Sequence, residues 1–169
     1  MKLEAVARQE LRLVVEEFFA GPSKAWGLFQ DRFGNLRRRF EVDAYGTWDG
    51  DLLTLTEHFT FDDGEREQRI WRIQKLGTNE YKGSADDVLG FAEGAVHGNA
   101  LHWNYWFSLN VGRRSWKVHF DDWLYLLDDD LLINRARVSK LGLTIGEVIC
   151  VFRKLPAAHG VRRIGKAVS

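Results

Sequence analysis

From Lys24 onward the chain alternates apolar and polar residues with a period of two, and turn-forming residues interrupt that alternation every eight to fifteen positions. The interruptions fall at Gly34-Asn35, Asp49-Gly50, Asp62-Asp63-Gly64, Gly77-Thr78-Asn79, Gly98-Asn99, Val111-Gly112-Arg113, Asp128 to Asp130 and Leu141-Gly142. A period of two sends successive side chains to opposite faces, so each run reads as a half-buried strand. Connections this short make successive strands antiparallel neighbours. About nine or ten strands follow one another with no helix between them. Such a sheet exposes two unpaired edges unless it closes on itself. The expected fold is therefore all-β, an antiparallel meander closed into a barrel of about eight to ten strands. A sandwich of two sheets is the alternative. Two Pro, seven Trp and 13% aromatic residues suit a large sheet.

The two ends of the chain break the pattern. Leu3, Val6, Ala7, Leu11, Val14, Val15 and Phe18 recur at three- and four-residue spacing, which predicts an amphipathic helix running up to Gly21-Pro22. Residues 1–22 are expected to pack this stripe on the barrel formed by 23–154, closing one end; peripheral membrane contact is the other use of such a stripe. Residues 155–169 lose the alternation, turn small and basic, and read as a mobile tail. Glu4, Arg8, Glu10, Arg12, Glu16 and Glu17 leave no uncharged stretch for a signal peptide or spanning helix, so a cytoplasmic protein is expected. Lys plus Arg equals Asp plus Glu at 24 each, which gives no overall field toward nucleic acid. The single Cys150 excludes an internal disulfide framework.

Hairpin arithmetic assigns the inner face. A two-residue Asp49-Gly50 turn would pair Gly46 with Leu53, Ala44 with Leu55, Val42 with Glu57 and Phe40 with Phe59. Glu57 then interrupts an apolar face formed by Leu53, Leu55, Phe59 and Phe61. The next loop has two readings. A two-residue Asp63-Gly64 turn sets Glu57 against Ile70. A three-residue Asp62-Asp63-Gly64 loop, with Gly64 left-handed in a bulge, pairs Glu57 with Arg69 and Leu55 with Trp71. A loop at Gly77-Thr78-Asn79 then brings Asp87 opposite Arg69. Downstream, Leu101, Trp103, Tyr105, Phe107 and Leu109 share a face with Trp116, Val118, Phe120 and Asp122 across a Gly112-Arg113 turn. Leu132, Asn134, Ala136, Val138 and Lys140 follow on that face, and then Ile145 and Glu147. The expected interior is aromatic and aliphatic with sparse polar groups, Glu57, Arg69, Asp87, Asp122, Asn134, Lys140 and Glu147.

Several stretches carry a resemblance: "AWGLFQDRFG" at 25–34, "RRRF" at 37–40, "TWDG" at 47–50, "FDDGE" at 61–65, "GNALHWNY" at 98–105, "FDDW" at 120–123, "NRA" at 134–136 and "SKLGLTIGEV" at 139–148. Together they resemble a bacterial family of unknown function described as calycin-like, that is, lipocalin-related. The resemblance implies a β-barrel and, by analogy of fold, an apolar or amphipathic ligand; it implies no reaction. Some relatives look like lipoproteins, a feature this N-terminus lacks.

The expected function is binding of a fatty-acid-like or other lipid-like molecule inside the barrel. Its tail would lie against Trp71, Trp103, Tyr105, Phe107 and Phe120, with Asn134 nearby, and its head near Arg69, Glu57 and Asp87. The alternative is an isomerase, cyclase or hydratase using Glu57, Asp122 or Lys140 in acid/base chemistry. A structural protein with a filled core, its charges forming internal salt bridges, is the third reading. No cofactor is implied. His97 and His102 share an outer face but lack a third ligand at useful spacing, so no metal site is expected.

Overall fold

The computed structural model describes residues 10–156, and the strand runs legible in the sequence appear in it as ten antiparallel strands. They are β1 (Gly21–Asp31), β2 (Leu36–Trp48), β3 (Leu52–Phe61), β4 (Arg66–Lys75), β5 (Glu80–Ser84), β6 (Val88–His97), β7 (Ala100–Val111), β8 (Arg114–Asp128), β9 (Leu131–Lys140) and β10 (Leu143–Lys154). Each pairs with its neighbours in sequence, and β1 pairs with β10, Ser23 opposite Lys154, so the sheet closes and no edge remains. The alternation becomes burial: Leu53, Leu55 and Glu57 on β3, and Leu101, Trp103, Tyr105 and Phe107 on β7, all point inward.

The three-residue reading of the β3–β4 connection is the one adopted. The Phe61 amide donates to the Glu65 carbonyl at 2.9 Å, Gly64 has φ +85, and Glu57 pairs with Arg69. Only glycine takes that backbone conformation without strain. The Gly112-Arg113 turn also holds, with Trp103 opposite Asp122 and Tyr105 opposite Phe120. Leu124 sits opposite Asn134 as expected, though through a tighter turn and a bulge between Leu126 and Asp128.

Two registers differ from expectation. Across the Asp49-Gly50 connection Ala44 faces Glu57 and Val42 faces Phe59, two residues away from the predicted pairing. The Asp49 carboxylate accepts from the Asp51 and Leu52 amides at 2.9 and 2.7 Å, which lengthens the loop. Because the displacement is even, every side chain keeps its face. In β10 the displacement is odd. A bulge between Thr144 and Gly146 turns Gly146, Val148, Cys150 and Phe152 toward the interior side, so Glu147 lies outside and pairs with Arg135 at 2.9 Å.

The N-terminal helix is shorter than predicted. Among the described residues only α1 (Val15–Phe19) is helical; Glu10 to Val14 are not, and β1 begins at Gly21, inside the stretch expected to be helix. The Leu13 amide instead donates to the Gly98 carbonyl at 2.9 Å, which spends it on the β6–β7 turn. Leu3, Val6 and Ala7, and the tail from 157 onward, lie outside the described residues. Val15, Phe18 and Phe19 are buried at one end of the barrel, with Phe19 packed edge-on against Phe152 at 5.5 Å. Gly46 permits the docking: a β-carbon there would stand 1.9 Å from the Phe19 carbonyl oxygen.

Polar contacts lock this plug. Glu16 is buried and accepts from Lys75 and from the Tyr81 hydroxyl, the latter at 2.7 Å. Lys154 donates to the Phe18 and Ala20 carbonyls at 2.9 and 2.6 Å, satisfying acceptors that the helix end leaves unpaired. Among the described residues no helix is long and apolar enough to cross a membrane.

Candidate functional site

Above the plug the barrel is hollow. A cavity of about 770 Å³ runs from Val15, Phe19 and Phe152 at the closed end to Phe40, Phe61 and Leu109 toward the opposite mouth. That volume lies within the usual few hundred to about 1,000 Å³ of small-molecule pockets. Apart from Lys140, the candidate residues drawn from the sequence all line it. Tyr105 is the hub of the aromatic wall, stacked on Phe120 at 5.3 Å and edge-on to Trp71 at 5.2 Å, and Trp71 meets Trp103 at 5.9 Å. Strict alternation on β3, β4, β7 and β8 puts these rings on one surface.

The charged groups divide into satisfied and unsatisfied ones. Arg69 donates from Nε to both Asp87 oxygens at 3.1 and 3.0 Å, and its Nη2 forms an ion pair with Oδ2 at 2.9 Å. Its guanidinium lies between the Phe59 and Phe107 rings, 5.0 and 4.8 Å from their centroids. Arg69 is thus the cross-strand neighbour of Glu57, but its fork is turned to Asp87. The Trp71 indole lies close enough to Glu57 to favour its charged form. Burial pushes its carboxyl up to about 7, against the opposing pull of the Arg69 charge.

Asp122 is 5% exposed and lies within the long strand β8, not at the rim where a strand junction would put it. The Tyr105 hydroxyl approaches its Oδ2 at 3.5 Å, while Oδ1 and the neighbouring Asn134 Oδ1 are buried without partners. Burial raises the Asp122 carboxyl to about 8; Asn134 and Tyr105 offset part of that rise, and the charges of Asp121 and Glu57 add to it. At neutral pH Asp122 is mostly the neutral acid and Glu57 is near its midpoint.

Lys140 does not reach this surface. At the end of β9 its ammonium sits 3.6 Å from the Trp116 ring centroid, outside the cavity wall, so it is removed from the candidate residues. Conversely, Arg38 lines the mouth, paired with Glu65 at 2.6 Å and lying 3.4 Å over the Phe61 ring. The signal for it was present, since Arg38 stands two residues before the inward Phe40. Cys150 is buried, and desolvation raises its thiol far above the ordinary range, which makes it inert. On the outer wall His102 bonds Asp121 and stacks on Trp123 at 4.3 Å.

A closed antiparallel barrel, plugged at one end and hollow toward the other, is a calycin-like fold of the lipocalin type. The chain belongs to the family of proteins of unknown function DUF3833, whose profile matches residues 1–154. No curated protein matches the sequence. Among solved structures it is similar to the S-type phycobiliprotein lyase of Guillardia theta, with TM-score 0.62, 11% identity, and 86% of this chain and 94% of that chain covered. A DUF3598 protein of unknown function from Nostoc punctiforme gives TM-score 0.62 at 14% identity, over 85% of this chain and 50% of that one. Rv2717c of M. tuberculosis gives 0.60 at 12% identity, over 82% and 93%. These likenesses are of fold.

Proposed function

We propose that the barrel binds a small amphipathic molecule, its apolar body against the Trp71, Trp103, Tyr105 and Phe120 wall. The observation that carries this is the open cavity of about 770 Å³, lined by aromatic rings with a few convergent polar groups, the usual make-up of a ligand pocket. A core filled by its own side chains would leave no such volume. A lipid-like ligand and a cytoplasmic location belong to this proposal; the free Cys150 thiol is compatible with the latter. Native mass spectrometry of the purified protein, followed by organic extraction, is expected to reveal a bound small molecule or uptake of an added one. A protein that neither carries nor takes up any apolar compound would sink the reading.

One observation favours a second reading, acid/base catalysis on such a molecule. Asp122 is a buried carboxyl in the cavity wall, with its proton equilibrium moved to about 8. Turnover of an extracted ligand by the purified protein, lost in Asp122→Asn with the fold intact, is the outcome this reading expects. A ligand recovered unchanged after prolonged incubation counts against it.

A further inference from the structure

The polar balance of the cavity identifies the kind of group it lacks. Among the described residues its two cationic side chains are already matched: Arg69 to both oxygens of Asp87, and Arg38 to Glu65 and Asp63. Among the described residues the acids at the waist take part in no salt bridge. Asp122 lies beside Asn134 in the cavity wall, and the buried Glu57 faces the same space from β3. In the ring of ten, β3 and β8 stand five strands apart, so the two carboxyls approach the cavity from opposite walls. The leftover donor, Arg38 Nε, sits at the mouth on a guanidinium that is already paired.

Among the described residues, an anionic head at the waist would meet two carboxyls and no unpaired cation. A neutral hydroxyl would supply a single donor. A protonated nitrogen supplies several donors and the opposite charge, and hydrogen bonds to charged partners are the strong ones. We infer that the buried polar end of the ligand is a protonated amine or amidine, held between Asp122, Asn134 and Glu57, with an apolar body along the aromatic wall. This rests on the cavity reading proposed above and replaces Arg69 with the waist carboxyls as the head-group site.

Proton linkage follows. The groups around the two carboxyls are Arg69 on β4, Asp87 in the β5–β6 loop, Tyr105 on β7, Asn134 on β9 and Cys150 on β10, with Asp121 on the outer face of β8. Arg69 is the only cation among them. A cationic guest selects the ionised carboxyls, so its binding releases protons to the buffer and strengthens as pH rises through about 7 and about 8.

The test compares dodecylamine, dodecanol and dodecanoate as probes, by titration calorimetry and by quenching of tryptophan fluorescence on the intact chain. Dodecylamine is expected to bind about tenfold or more tighter than the other two, the size of a charge-assisted hydrogen bond. Its affinity should rise about tenfold between about pH 5.5 and about pH 8.5, while that of dodecanol stays level. In Glu57→Gln and Asp122→Asn, checked for fold by circular dichroism, the amine-to-alcohol ratio should collapse toward one. The pH series on the unaltered protein decides the matter even where a variant does not fold. Dodecanoate or dodecanol binding as tightly as the amine, or an amine preference that survives both substitutions, overturns the inference and leaves the cavity reading standing. Failure of all three probes to bind removes both.

Discussion

The barrel buries carboxylates in two places and treats them oppositely. At the plugged end Glu16 receives the Lys75 ammonium and the Tyr81 hydroxyl; burial favours its neutral form, but these two bonds win and hold it below the ordinary glutamate range. At the waist Glu57 and Asp122 are as deeply buried but have weaker partners, the Arg69 charge and Trp71 for Glu57, Asn134 and the Tyr105 hydroxyl for Asp122, and burial wins, raising them to about 7 and about 8. Burial alone therefore does not tell a structural acid from a functional one. Pairing does: the Glu16 cluster is complete and fastens the helix, whereas the waist is short of donors that a guest can bring.

The comparison is most easily broken at the plug. Glu16→Ala leaves the Lys75 ammonium and the Tyr81 hydroxyl unmatched and is expected to lose about 2–4 kcal/mol in urea unfolding, somewhat below a fully buried pair because Lys75 is partly exposed. A loss well under about 1 kcal/mol would mean the cluster does not hold the helix. Gly46→Ala drives a methyl group into the Phe19 carbonyl and should cost about 1–3 kcal/mol, read by the same midpoint.

The waist should respond with the opposite sign. Glu57→Gln with Asp122→Asn is expected to stabilise the ligand-free protein by about 1–3 kcal/mol at pH 8 and by almost nothing near pH 4. The native state holds protons at about 7 and about 8 that the unfolded chain releases near 4.5 and 3.8, so wild-type stability falls as pH rises through that window. Glu16 runs the other way: its contribution is present above the usual glutamate range and is lost as pH falls below it. A urea series across pH that shows no downward slope between about 5 and 8 would contradict the unpaired state of the waist acids. The smallest effect is expected from Lys140→Ala, about 0.5–1 kcal/mol from the contact with Trp116 and no change in ligand uptake.

The inner face of β3, β4, β7 and β8 was legible because period-two alternation and three-residue or two-residue loops obey simple counting. That arithmetic sets Asp122 opposite Trp103 and, in the three-residue reading of the Asp62-Asp63-Gly64 loop, Glu57 opposite Arg69, as the barrel has them. It failed where side chains set the loop length, as Asp49 does, and where a bulge changes the count, as between Thr144 and Gly146. Register does not give side-chain partners: the choice of Arg69 between Glu57 and Asp87 depends on the direction of its fork. The Glu16 cluster was hidden because its members come from positions 16, 75 and 81, joined only when the N-terminal segment folds under the barrel. Helical spacing also overstated α1, since Leu13 is drawn into a backbone bond with a turn that lies far away in the chain.

The even displacement at the Asp49 loop has a consequence for how such a chain can vary. Adding or removing two residues at a hairpin slides one wall past the next and leaves the lining of the cavity the same in kind. A single added residue, unless a bulge absorbs it, turns a whole strand inside out. Tolerated length changes in this barrel should therefore come in pairs, and each odd change should be accompanied by a bulge, as β10 already has beside Ile145.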